Sequence, residues 1–147
     1  MARKKLLVAG ASGLVGSVAV RHFRGLHDWE VTAVLRRPPH GAQNATFVAV
    51  DLTDAARCAE VFGHLRDVTH VIYAAVYERP GLFDGFSERQ QIRCNGVMLS
   101  NLLDPLDAVA KDMRHVSLMQ GTKAYGLHLG PFPAPAAFRA AAQLPRV

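Results

Sequence analysis

The chain has 147 residues, half hydrophobic and a fifth charged, which is enough for one packed core and hardly for two. Its formal charge of +5 is spread thinly, with tight groups only at Arg3 to Lys5 and Arg36-Arg37 and no basic stripe interleaved with aromatics, so a nucleic-acid partner is not expected. Two cysteines, Cys58 and Cys94, exclude a disulfide framework and fit a reducing compartment, with the cytoplasm as default.

The first predicted element is a strand over Lys5 to Ala9. Gly10 stops this apolar run after too few residues for a secretory segment or a membrane span, so no membrane association is expected. The turn Gly10-Ala11-Ser12-Gly13-Leu14-Val15-Gly16 follows, and Val15, Val18, Ala19, Phe23 and Leu26 recur beyond it at helical spacing. A glycine turn between a strand and a helix suits a phosphate: glycines permit a sharp turn and close backbone approach, and the helix start offers free N–H groups and partial positive charge.

Val31 to Leu35 is the second strand, and Arg36 and Arg37 end it. An acidic residue there would bind a ribose 2′-hydroxyl, whereas arginine accommodates a 2′-phosphate, which points to NADP(H). The third strand covers Phe47 to Val50. Asp51 beyond it can reach an adenine amine or serve as a loop acid before the helix at Ala55 to Leu65, which Thr53 and Asp54 open as caps. His70 to Ala75 is the fourth strand. A helix over Arg89 to Leu103 is predicted to end at Asp104-Pro105, with a second helix running on to Lys111, because proline suits only a first turn. His115 to Met119 is the fifth strand, and Pro131 to Val147 holds four prolines and six alanines, with at most a short helix at Ala136 to Gln143.

Short apolar strands alternating with helices imply an α/β fold, a doubly wound parallel sheet of about five strands covered on both faces. The expected division is a nucleotide-binding Rossmann domain over 1–133 and an atypical tail over 134–147. Other chemistries find no support. His22, His27, His40, His64, His70, His115 and His128 never pair at i, i+4, so no metal is expected, and no Gly-x-Ser-x-Gly elbow exists. Cys94 falls within a helix without an arranged base and reads as a small packed residue, and Asn95 beside it as structural.

Three glycines at intervals of three, Arg36-Arg37-Pro38, Asp51-Leu52-Thr53-Asp54, Asp67 to Tyr73, Asn101 to Asp104, Arg114 to Leu118, and Gly121-Thr122-Lys123-Ala124-Tyr125 with Gly130-Pro131-Phe132 resemble one group of the extended and atypical short-chain dehydrogenases. That group is the progesterone 5β-reductase and iridoid synthase family, of epimerase/dehydratase type, and the resemblance covers about residues 5 to 133. It implies hydride delivery from NADPH to an enone-like alkene or a carbonyl in a small substrate of steroid or terpenoid kind. By position it implies a cofactor site of Gly10, Ser12, Gly13, Leu14, Val15, Gly16, Arg36, Arg37, Asp51, Leu52, Ala74 and Ala75, with Ser117, Leu118 and Met119 under the nicotinamide. Lys123 matches the family's catalytic lysine, and Tyr125 matches a residue near it that could donate a proton or line the pocket.

The family's catalytic tyrosine lies some thirty residues beyond that lysine, and Tyr73, Tyr77 and Tyr125 form no Tyr-x-x-x-Lys pair. Three functions therefore follow: an NADPH-dependent oxidoreductase, a non-catalytic NADP(H)-binding module or truncated remnant, and a sugar-nucleotide epimerase or dehydratase. A sheet ended after its fifth strand would leave apolar surface uncovered, so either self-association, as in a homo-oligomer, or marginal stability is expected.

Overall fold

The computed structural model describes residues 3–37, 46–78 and 89–121. Elements follow the chain as β1 (Lys4–Ala9), α1 (Leu14–Arg24), β2 (Trp29–Leu35), β3 (Thr46–Ala49), α2 (Ala55–Phe62), β4 (His70–Tyr73), α3 (Arg89–Val109) and β5 (His115–Leu118). All strand pairs are parallel, and the sheet order is β3-β2-β1-β4-β5. This is the doubly wound arrangement, with the strand order reversing between β1 and β4.

Alternation along β1 divides the core. Leu7 and Ala9 face a cluster completed by Val34, Val71, Phe62, Leu102 and Leu106, under α2 and α3. Leu6 and Val8 face the other side, where Val31, Ala33 and Leu35 pack against Ala19, Val20 and Phe23 of α1. Period-two alternation thus serves two apolar faces at once, which is why the strands carry few polar residues.

Two expectations are corrected. Leu26 is not part of the first helix, because Gly25 caps α1 after Arg24, its N–H bonding back to the His22 carbonyl at 3.1 Å. Pro105 does not break the third helix either: α3 runs unbroken from Arg89 to Val109 with the proline inside it. An interior proline costs about 3 kcal/mol or more through a lost hydrogen bond and a steric clash. The compensation is burial at one-turn spacing, since Met98, Leu102, Leu106 and then Ala110 all enter the core, and a fully buried leucine contributes about 1.5–3 kcal/mol. The predicted helix at 136–143 lies outside the described residues.

One polar atom in the core has no partner. The Tyr73 hydroxyl makes no hydrogen bond among the described residues, and burial pushes its pKa up to about 12. Removing that oxygen removes an unsatisfied group, so Tyr73→Phe is expected to raise stability by about 1 kcal/mol, read as a higher urea midpoint; a loss of stability would show a hidden partner.

At the opposite end of the strands the rings of Phe23, Trp29, His70 and His115 form a row, the first three meeting edge to face, with the Trp29 and His70 centroids 4.8 Å apart. Burial, aided by His115, Lys4 and Arg114, holds the His70 pKa below its ordinary 6.5. Below pH 6.5 the unfolded chain therefore takes up this proton before the folded one, and stability falls as pH falls. Asp28 and Asp51, both held below their ordinary 3.8, lose their contributions only in more acid solution. The urea midpoint should drop from pH 7 to pH 5, and His70→Gln should flatten that slope; an unchanged slope refutes the assignment.

Candidate functional site

Neighbouring strands β1 and β4 lead to helices on opposite faces of the sheet, so a crevice opens beyond their C-terminal ends. Gly10 shapes it. Its φ of +76° lies in the left-handed region, and a Cβ there would stand 2.6 Å from the Ala75 nitrogen and 2.7 Å from the Ala74 carbonyl. A Cβ on Gly16, in turn, would overlap the Gly10 carbonyl oxygen. The turn is thus pressed onto the exit of β4, and α1 onto the turn.

Helix α1 starts at Gly13 with no side-chain cap and no acidic residue in its first turn. That leaves the partial positive charge of the helix start uncompensated by side chains, as an anion site requires. Helix α2 differs: the Asp54 side chain caps it, accepting from the Arg57 N–H at 3.0 Å. Thr53 is not the cap, because its hydroxyl is bonded to Asp51.

The crevice encloses about 430 Å³. Gly10, Ser12 and Gly13 form one rim, Arg36 and the segment Asp51–Leu52–Thr53 another, and Ala74, Ala75 and the chain through Glu78 the third, above a floor of Val34, Val50 and Met98. Asp51 is prepared for its place. Its carboxylate accepts from the Thr53 N–H at 2.9 Å and the Thr53 hydroxyl at 2.8 Å, and these bonds, with the charge of Arg36, hold its pKa below the usual carboxylate value. It is an anionic acceptor at neutral pH.

Helix α3 fixes two of these rims. The Asn95 amide accepts from the Tyr77 N–H at 2.8 Å and donates to the Tyr77 carbonyl at 2.9 Å, clamping the chain after β4. One and a half turns on, the Asn101 amide donates to the Leu52 carbonyl at 2.8 Å. The structural reading of Asn95 therefore acquires a definite content.

The expected residues separate into groups. Gly10, Ser12, Gly13, Arg36, Asp51, Leu52, Ala74 and Ala75 converge on the crevice. Arg37 does not, because consecutive residues leaving a strand point to opposite faces. It lines a second cleft, of about 700 Å³, on the α1 side of the sheet. Leu14 and Val15 stand exposed at the helix start outside both clefts, and Gly16 lies buried beneath the turn. Ser117, Leu118 and Met119 line neither cleft; the Ser117 hydroxyl is 2.9 Å from Nε2 of His115, and the Met119 N–H donates to the Tyr73 carbonyl. Lys123 and Tyr125 lie outside the described residues. Val76, Tyr77, Glu78 and Met98 were not anticipated in the crevice. Only the position of the first three, directly after a predicted strand, could have signalled them.

Neither cysteine is set up as a nucleophile: Cys58 is fully buried, which pushes its thiol up to about 11, and Cys94 is half-buried with no base arranged beside it. Among the described residues no cluster of three histidine, cysteine or acidic side chains could hold a metal, and no helix is long and apolar enough to cross a membrane.

The pattern of the NAD dependent epimerase/dehydratase family matches residues 6–135. A 3-oxo-Delta(4,5)-steroid 5-beta-reductase of Arabidopsis thaliana is 34% identical over 134 residues, 86% of this chain and 32% of the relative. An (S)-8-oxocitronellyl enol synthase of Camptotheca acuminata is 31% identical over 137 residues, again 32% of that protein. The chain thus spans about a third of the length of these relatives. Among solved structures, a short chain dehydrogenase from Burkholderia cenocepacia in complex with NADP superposes with a TM-score of 0.70 at 14% identity, covering 96% of this chain and 60% of that one. A uronate dehydrogenase from Agrobacterium tumefaciens gives 0.60 at 21% identity, covering 83% and 42%. At these identities the superpositions speak for the fold.

The three turn glycines are not equivalent, since a Cβ on Gly13 meets its nearest atom, the Gly10 carbonyl oxygen, only at 3.3 Å. Gly10→Ala should therefore cost about 1–3 kcal/mol by urea denaturation and Gly13→Ala clearly less; equal costs would show that the turn is not pressed onto β4.

Proposed function

The chain belongs to the NAD dependent epimerase/dehydratase family, and on that premise we propose that it is the nucleotide-binding part of an NADP(H)-dependent oxidoreductase. The reaction is hydride transfer to an activated C=C bond of enone type or to a carbonyl, in a small steroid-like or terpenoid-like molecule. The observation that carries this reading is the crevice at the strand-order reversal, where an uncapped helix start, a glycine turn and an arginine face one another. Those residues fit a dinucleotide. The turn of Gly10, Ser12, Gly13 and Gly16, with Leu14 and Val15 in the first turn of α1, would hold pyrophosphate by backbone N–H groups. Asp51, already anionic, accepts from an adenine amine, with Leu52 beside the ring. Arg36 and Arg37 bring positive charge toward a 2′-phosphate, while Ala74 and Ala75, as small side chains, leave room beside the nucleotide.

The dinucleotide supplies a hydride when bound. Lys123 and Tyr125, assigned through the family likeness, would act on the substrate side. As hydride reaches the β-carbon, the electron pair of the alkene moves toward the carbonyl, and the enolate oxygen gains negative charge. By that likeness Lys123 would help hold the cofactor ribose and support a tyrosine hydroxyl that stabilises the enolate oxygen, and Tyr125 could donate a proton or line the pocket. Ser117, Leu118 and Met119, at the end of β5, belong to the same reading as the surface under the reacting ring. The relatives support this substrate class, one being named a steroid reductase and another an enol synthase for a terpenoid aldehyde. The nucleotide domain is read as 1–133, close to the family match at 6–135, and the scarcity of cysteine supports a cytoplasmic setting.

Following NADPH absorbance with a simple cyclic enone tests the reaction, and a fluorescence titration tests binding separately. Turnover above background is expected, with Lys123→Met lowering kcat by about 100-fold and NADPH affinity far less. Tight NADPH binding without turnover would replace the oxidoreductase reading by that of a binding module.

A further inference from the structure

The order of strands gives the crevice a direction. Asp51 and Arg36 stand on its β3 and β2 side, the uncapped start of α1 follows β1, and the segment from Ala74 to Glu78 leaves β4 on the far side. A dinucleotide with its adenine at Asp51 and its pyrophosphate at the helix start therefore carries its remaining half over that segment. Two side chains there exchange protons, those of Tyr77 and Glu78. A carboxylate only accepts hydrogen bonds, whereas a phenol donates one. Of the two tyrosines among the described residues, Tyr73 has its hydroxyl sealed in the core, while Tyr77 lines the crevice with 38% of its surface exposed. Tyr77 is also held more firmly than its place after a strand requires. The Asn95 amide accepts from its N–H at 2.8 Å, donates to its carbonyl at 2.9 Å and donates again to the Gln91 carbonyl at 3.0 Å, which ties Tyr77 to α3. Water satisfies exposed backbone groups without such a clamp. What the clamp adds is a fixed point from which the phenol projects.

Resting on the oxidoreductase reading above, we propose that Tyr77 is the proton donor of this chain, its phenol giving a proton to the oxygen of the substrate's carbonyl as the β-carbon is reduced. Hydride brings two electrons from the reduced cofactor and forms the new C–H bond at the β-carbon. The alkene pair shifts toward the carbonyl, and the enolate oxygen takes up charge. As the phenol O–H bond breaks, an O–H bond forms on that oxygen, and the phenolate left behind regains its proton from water. The resulting enol then returns to the ketone. The acid is thus supplied from the exit of β4, on the same rim as Ala74 and Ala75, and the lack of a Tyr-x-x-x-Lys pair does not leave the reaction without a donor. Asn95 is the positioning residue, acting through the backbone of Tyr77. Tyr125 is left as part of the pocket wall.

Three measurements on the full chain and its Tyr77→Phe and Tyr125→Phe variants test this: reduction of cyclohexenone by NADPH, fluorescence titration of NADPH, and equilibrium binding of para-nitrophenolate to the chain loaded with NADP+. The last probe is an anion shaped like an enolate, and its binding reads the phenol's hydrogen bond without turnover. The urea midpoint controls for folding, since Tyr77 is exposed. Tyr77→Phe should lower kcat about 100-fold or more and weaken para-nitrophenolate about ten-fold, while leaving NADPH affinity unchanged. Full kcat in Tyr77→Phe, a loss of kcat in Tyr125→Phe alone, or a Tyr77→Phe defect confined to NADPH affinity overturns the inference and leaves the oxidoreductase reading intact. A parent chain that binds NADPH without turnover overturns that reading, and this inference with it.

Discussion

The site depends on one contact in which a side chain is missing. Gly10 lies so close to the backbone of Ala74 and Ala75 that no Cβ fits, and its positive φ turns the chain sharply at that point. The turn can then lie over the exit of β4 instead of standing away from it, and Gly16 lets α1 settle directly on the turn. Together these contacts bring the start of α1, where no side chain satisfies the N–H groups, to the reversal of strand order between β1 and β4. A larger residue at either position would separate an anion-attracting helix end from the crevice it faces.

The opposite side of the crevice depends on α3. Asn95 grips the backbone of Tyr77 and Asn101 that of Leu52, so one helix sets the distance between the rims that follow β4 and β3. Such a brace must be anchored. A helix ended at Asp104-Pro105 would have lost Leu106 and Ala110 from the core, and with them part of the hold on Asn101 one turn earlier. Core burial along α3 and the two amide clamps thus act on the same element, and the proline is carried because the burial outweighs it.

The parts of this arrangement that were legible from residue order are those governed by local rules. Glycine spacing between an apolar run and a helical pattern marked the turn, and alternation of strands with helices marked a doubly wound sheet. Contacts decided between distant residues were not legible. Nothing local to Pro105 reveals that Met98, Leu102 and Leu106 share a buried face, and nothing in Asn101 reveals Leu52 as its partner across 49 positions. Arg36-Arg37 shows the limit most clearly. As a dipeptide it reads as one doubly charged grip on one phosphate, and only the geometry of a strand end sends the two side chains to different clefts.

That separation bears on how such a crevice can distinguish two nearly identical dinucleotides. Discrimination requires an interaction made with one ligand and not with the other, and contacts common to both contribute affinity without preference. Preference must come from charge lying off the path common to both, close enough to be reached and not already neutralised by the protein.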